Sequence, residues 1–233
     1  MTRNETPIDS TDPRAWRMLL AASLIAFIAI AANVVSGGPL TTFDPWAAQG
    51  LLGRGSGGWS DAMRILARVH GVAGIGIVGG LWAALLWHRR KTAQLAALLL
   101  VVGGGLLLNG ALKLLFQRQR PVLAAGLDPP LEMLATWSFP SGHVSGSVVF
   151  YGFLLMTLFA RTSNRGARRA GVIAVTAMVV LVTYNRLYLG VHFATDVLAA
   201  VAEGLAWLAF CALLLETWRL PARDPDRASR PST

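Results

Sequence analysis

The 233-residue sequence contains one cysteine, Cys211, and it lies inside an apolar run. A disulfide within the chain is therefore excluded, and no cysteine-based metal site can be assembled. Charge is equally scarce. Asp, Glu, Lys and Arg make up 14% of the residues, against roughly 25% in soluble domains. Acidic residues are the rarest, 12 against 21 basic ones, which leaves a formal charge of +9. There is no internal repeat and no polar stretch long enough for a soluble second domain. What remains is 54% hydrophobic. Length and polarity together point to a membrane protein rather than a soluble domain with a large core. The positive balance does not imply nucleic acid, because the basic residues fall in short segments between apolar runs, where a membrane surface would meet them.

Six apolar segments are long enough to cross a bilayer, at about 17–35, 67–87, 92–115, 142–160, 170–189 and 193–218. The first follows a polar N-tail of mixed charge. It exceeds a signal-peptide core in length and is read as a retained helix. The fifth is the weakest, since Asn185 and Arg186 interrupt its end. The second and third are rich in glycine, in "GVAGIGIVGG" and "VVGGGLLLNG". Gly76 and Gly80 form a small-xxx-small pair, which predicts close helix contact in lipid.

Basic residues set the orientation. Arg3, Arg14 and Arg17, then Arg89, Arg90 and Lys91, then Arg161, Arg165, Arg168 and Arg169, and finally Arg219, Arg223, Arg227 and Arg230 fall on one side of a six-span chain. The positive-inside rule makes that side cytoplasmic. The sequence thus predicts an all-α bundle of six transmembrane helices with both termini cytoplasmic. Its parts are an N-tail over 1–16, a membrane domain over 17–218 and a disordered cytoplasmic tail over 219–233. The linker 36–66 carries Asp44, Phe43, Trp46 and Trp59, and its piece "FDPWAAQGLLGRG" is expected along the outer surface.

The polar residues at the outer ends of the spans form a pattern. Lys113 closes the third span and Arg120 follows in "KLLFQRQRP". The two share a helix face if the helix persists, although Pro121 biases Arg120 toward extended backbone. Ser141, Gly142 and His143 open the fourth span, Arg186 ends the fifth, and His192 and Asp196 open the sixth. Charges at span ends are costly and usually functional. Here they suit an anion. Arg holds phosphate bidentately and Lys acts as a point charge. A helix start with a glycine offers free N–H groups and close backbone approach. Ser141 also reads as a simple N-cap. His192 and Asp196, four residues apart, face the same way on a helix, so that the carboxylate fixes one ring nitrogen and frees the other. His70 and His88 read as interfacial polar residues, and Glu203 as a protonated or paired acid inside the bundle.

In this order, "K-x6-R-P" (Lys113–Pro121), "P-S-G-H" (Pro140–His143) and "R-x5-H-x3-D" (Arg186–Asp196) resemble the signature of the type-2 phosphatidic acid phosphatase superfamily. The resemblance implies that Lys113, Arg120, Ser141, Gly142 and Arg186 bind phosphate oxygens. It implies that His192 attacks phosphorus to give a phosphohistidine, that Asp196 orients His192, and that His143 protonates the leaving oxygen and then activates water. It implies no metal and no other cofactor. One departure stands out: Asn185 precedes Arg186 where the family usually has Ser.

The expected protein is an integral membrane lipid phosphatase of the inner membrane, with its site on the periplasmic or exterior face. Its partners are the bilayer and a lipid phosphate or diphosphate. Within the resemblance undecaprenyl diphosphate is the first choice, with phosphatidic acid and phosphatidylglycerol phosphate beside it. A binding-only transporter would not need a second His and a His–Asp pair. A vanadium haloperoxidase shares the site pattern but is soluble and larger.

Overall fold

The computed structural model describes residues 12–45, 47, 57–121 and 136–218. The tail residues 1–11 and 219–233, most of the piece 43–55 expected along the outer surface, and 122–135 of the outer loop lie outside them. The described residues are helical and contain no strand. In chain order the helices are α1 (Pro13–Ser36), α2 (Gly58–Val69), α3 (Val72–His88), α4 (Thr92–Phe116), α5 (Gly142–Arg161), α6 (Arg165–Tyr188) and α7 (Ala194–Trp218).

Five of them, α1, α4, α5, α6 and α7, are each long and apolar enough to cross a membrane. The second expected span is broken. α2 and α3 pass the same test only as a pair, bent by 49°. The break lies at His70 and Gly71. His70 Nδ1 donates to Leu66 O (3.0 Å), and Tyr151 of α5 donates its hydroxyl to Nε2 (2.6 Å). A carbonyl only accepts, so these two partners fix the tautomer. A Cβ on Gly74 would lie 2.0 Å from Val69 O, so the close approach at the bend requires glycine there. His70 is thus a buried hinge residue rather than an interfacial one.

The ends of the helices carry conventional stops. Asp12 caps α1 by accepting from Arg14 N (2.8 Å), with Pro13 at the first position. Gly37, in the left-handed region, closes α1. Asn164 caps α6 through Ala167 N (3.1 Å).

α7 and α5 form the centre. The apolar window of α7 is 61% buried, against 11% in α1. The largest core cluster joins Ile75 and Leu86 of α3, Leu98, Val101 and Val102 of α4, Val148, Val149, Phe150 and Phe153 of α5, and Leu208 and Cys211 of α7. The glycine pair expected to make close helix contact does not do so among the described residues: a Cβ on Gly76 or Gly80 meets none of them within 4 Å. Close glycine contacts occur in α4, α5 and α7 instead, at Gly104, Gly152 and Gly204 among others. A Cβ on Gly104 would lie 2.5 Å from the Trp207 ring. That indole donates to Val101 O (2.8 Å), within a π-helical stretch, Leu99–Gly103. A π turn disturbs the regular ladder, and the half-buried indole N–H needs an acceptor. Each supplies what the other lacks.

Candidate functional site

The C-terminal ends of α4 and α6 and the N-terminal ends of α5 and α7 meet at one end of the bundle, and all the expected site residues gather there. α4 stops at Phe116, with Gln117 left-handed at its C-cap. The helical register between Lys113 and Arg120 therefore does not persist. Residues 117–120 run on without helix and are held by Ser138, whose N–H and hydroxyl donate to Arg118 O (2.9 and 3.1 Å) and whose hydroxyl also donates to Gln119 O (2.9 Å). Alternation along this segment turns Arg118 and Arg120 to the same side, toward residues 191–196.

Phe139 anchors the turn into α5. It is fully buried, with its ring 4.8 Å from Phe116 and 6.0 Å from Phe27, centroid to centroid. Such pairs contribute about 0.5–1.5 kcal/mol each beyond their burial. Ser141 stands at the N-cap position of α5, yet its side chain makes no capping bond. Its Oγ is buried and has no hydrogen-bond partner among the described residues. Its N–H donates to Asp196 O (3.2 Å), which ties the start of α5 to the first turn of α7. Gly142 faces α4: a Cβ there would lie 3.0 Å from Asn109 Oδ1 and 3.6 Å from Lys113 Cε. Lys113 Nζ donates to Trp137 O (2.6 Å).

His192 precedes α7 rather than lying on it, so helical spacing is not what pairs it with Asp196. Asp196 reaches back to accept from Phe193 N (2.9 Å), the acidic half of a capping box, and this brings Oδ2 within 3.4 Å of His192 Nδ1. On the other side of the ring, Arg120 Nη1 lies 3.4 Å from Nε2. A guanidinium only donates and a carboxylate only accepts, so Nδ1 carries the proton and the Nε2 lone pair faces Arg120. Arg120 is held by Thr136 O (3.0 Å), Thr136 Oγ1 (2.7 Å) and Val191 O (3.0 Å). Burial pushes His192 down to about 4, against a smaller opposing effect of Asp196, so the ring is neutral at pH 7.

His143 lies within electrostatic reach of Arg186, His192 and Arg120. Its Nε2 is 3.1 Å from Ala67 O in the last turn of α2, so that nitrogen carries a proton and Nδ1 is the working one. The buried Arg186 guanidinium donates to Asn185 Oδ1 from Nε (2.9 Å) and from Nη2. Asn185 in turn donates to Met63 O on α2 (2.6 Å). The residue at the family's usual Ser position is a strut between Arg186 and α2. Glu203 is paired inside the bundle, accepting from Asn109 Nδ2 (2.9 Å).

A groove of about 550 Å³ opens beside Lys113, lined by Leu106, Leu107, Gly110, Leu114 and Trp137 among others.

The model of the PAP2 superfamily matches residues 94–220, more than half of the chain. The chain belongs to the PAP2 superfamily. Among curated proteins it is similar to phosphatidylglycerophosphatase B of Bacillus subtilis (strain 168), 36% identical over 100 residues. That match takes in 42% of this chain and 47% of the relative, so the chain spans about half the length of the curated relative it matches. Among solved structures it is similar to one described as the first transmembrane PAP2 type phosphatidylglycerolphosphate phosphatase from Bacillus subtilis. The TM-score is 0.73 at 25% identity, over 88% of this chain and 98% of that one. With its apolar helices, this PAP2 chain is an all-helical integral membrane protein.

Sequence reasoning missed Arg118, Asp44 and Thr195. Arg118 Nη1 donates to Asp196 Oδ1 (2.6 Å) and Thr195 Oγ1 (2.7 Å), while Nη2 donates to Asp44 Oδ2 (2.8 Å). One signal was available: Arg118 stands two residues before Arg120 in a segment that Pro121 biases to extended backbone.

Proposed function

We propose that the protein is a membrane lipid phosphatase that works through a phosphohistidine at His192. The observation that carries this reading is the His192 ring itself, neutral, held at Nδ1 by Asp196 and presenting its Nε2 lone pair beside the Arg120 guanidinium. In the first step Nε2 attacks phosphorus, the bond from phosphorus to the lipid oxygen breaks, and His143, which enters this step as the imidazolium with a second proton on Nδ1 besides the one Nε2 gives to Ala67 O, passes the Nδ1 proton to that oxygen. In the second, His143 takes a proton from water, water oxygen attacks phosphorus, and the P–N bond breaks to release phosphate. Lys113, Arg120, Arg186, the unpartnered Ser141 hydroxyl and the backbone at Gly142 would hold the phosphate oxygens. Their charge stabilisation supplies most of the rate. No step in this scheme needs a metal.

The membrane domain is taken as 17–218, with cytoplasmic tails at 1–16 and 219–233 and the site on the outer face of the inner membrane. The lipid tail stays in the bilayer, and the groove beside Lys113 is apolar enough to admit its first carbons. The relatives' names favour phosphatidylglycerol phosphate as first substrate, ahead of undecaprenyl diphosphate and phosphatidic acid.

The test is phosphate release by purified protein over a panel of these lipids, with EDTA present. Release from at least one lipid, lowered by ~10³-fold or more in a folded His192→Ala variant, is expected. Inactivity on the whole panel, full activity of His192→Ala, or a strict magnesium requirement would overturn the reading.

A further inference from the structure

We infer that Arg118 and Asp44 form a positioning clamp for the His192–Asp196 pair, an inference that rests on the reading of His192 as nucleophile. The Asp196 carboxylate must offer one particular oxygen to His192 Nδ1. Oδ2 does so while accepting from Phe193 N at 2.9 Å. Oδ1 is taken by Arg118 Nη1 at 2.6 Å. With both oxygens engaged from fixed directions, the carboxylate cannot rotate away from the ring.

Arg118 is fixed in turn. Its guanidinium carbon lies over the Phe193 ring, 4.2 Å from the centroid, against the residue that follows His192. Its Nη1 also donates to Thr195 Oγ1 (2.7 Å), and Nη2 donates to Asp44 Oδ2 (2.8 Å). Asp44 arrives from the linker after α1. It accepts from Thr195 N (2.9 Å) and Thr195 Oγ1 (2.7 Å), and so caps the N-terminus of α7 from outside the helix. The side chains of Asp44 and Asp196 are 3% and 0% exposed, and that of Arg118 is 17% exposed.

The charges explain why two carboxylates are present. One guanidinium shared between two buried carboxylates leaves the group net negative. Asp196 is therefore steadied by Arg118 without being neutralised by it. It keeps the negative potential that stabilises positive charge on His192 when phosphorus is attacked. Lysine cannot replace this arrangement, since a single ammonium lacks the planar fork that reaches both carboxylates. Arg118 acts through Asp196 and is placed away from the ring nitrogen that would meet phosphate. Its loss should slow the chemistry and leave substrate binding intact.

The experiment is a double-mutant cycle on the purified full chain, with phosphatidylglycerol phosphate in detergent micelles as substrate and thermal unfolding as a check on each variant. Arg118→Lys should lower kcat roughly 10–100-fold, the scale of misplacing a reacting group slightly, with KM changed less than about twofold. In an Asp196→Asn background the same change should cost less than about twofold more, because the carboxylate charge that Arg118 steadies is already gone. Should Arg118→Lys fail to fold, Asp44→Asn takes its place in the cycle, with the same fall in kcat and the same loss of effect in the Asp196→Asn background. Wild-type kcat in the folded variant, a loss confined to KM, or losses that multiply would each overturn the clamp. His192→Ala, run alongside, separates the two failures: its full activity would sink the nucleophile, whereas an inactive His192→Ala beside an unaffected Arg118→Lys would sink the clamp alone.

Discussion

His192 ionises in surroundings that disfavour its charge. Burial pushes it down to about 4, from an ordinary value of 6.5. An active neutral nucleophile is therefore retained until pH falls far below the usual histidine range. The acid limb of kcat/KM, which reports the free enzyme, should lie near pH 4, and a limb near 6.5 would show that His192 is solvated. The unpartnered Ser141 hydroxyl makes a second residue-scale statement. It is buried beside the start of α5 without capping it. Removing it as Ser141→Ala should leave the folded protein as stable as before and raise KM, since no internal bond is lost. A large fall in thermal stability would return Ser141 to a purely structural role.

At the scale of elements, the short helix α2 decides how the site is enclosed. It is tied down at three points: Met63 O to Asn185, Ala67 O to His143, and Ser60 Oγ to Tyr188 OH (2.9 Å). Asn185 is 1% exposed and serves both α2 and Arg186. Asn185→Ala removes the tie to Met63 O, which keeps its bond within α2, and leaves part of the buried Arg186 guanidinium without its partner. Leaving a buried group unsatisfied costs about 1–3 kcal/mol. Thermal unfolding in detergent should show that loss, and KM should rise because Arg186 is no longer held. An unchanged Tm and KM would mean that α2 is held by packing alone.

At the scale of the whole molecule, the alternation of helix directions brings the ends of α4, α5, α6 and α7 together at one end, with the Arg-rich turnarounds at the other. The proposed orientation puts Arg64, on α2, outside and Arg89, after α3, inside. Cys211 is fully buried and can be replaced by Ser. Single cysteines at these positions then report the orientation. A membrane-impermeant maleimide applied to intact cells should label Arg64→Cys and not Arg89→Cys, and the reverse pattern would invert the topology.

The sequence by itself determined the all-helical class, the approximate positions of the apolar helices and the candidate residues, from Lys113 to Asp196. Those properties depend on hydropathy and on short spacings, which neighbouring residues impose on one another. It did not determine where helices stop or bend. α4 ends before Arg120, His192 lies ahead of α7, and the second span breaks at His70, because Ser138, Phe193 and Tyr151 compete there for the backbone or the side chain. Only the tertiary structure decided the partners of Arg118, which lie 74, 77 and 78 residues away. It also decided that close contacts fall at Gly104, Gly152 and Gly204 rather than at Gly76 and Gly80. A buried charge and a tight helix contact are set by what arrives from elsewhere in the chain, and no local pattern of residues records that arrival.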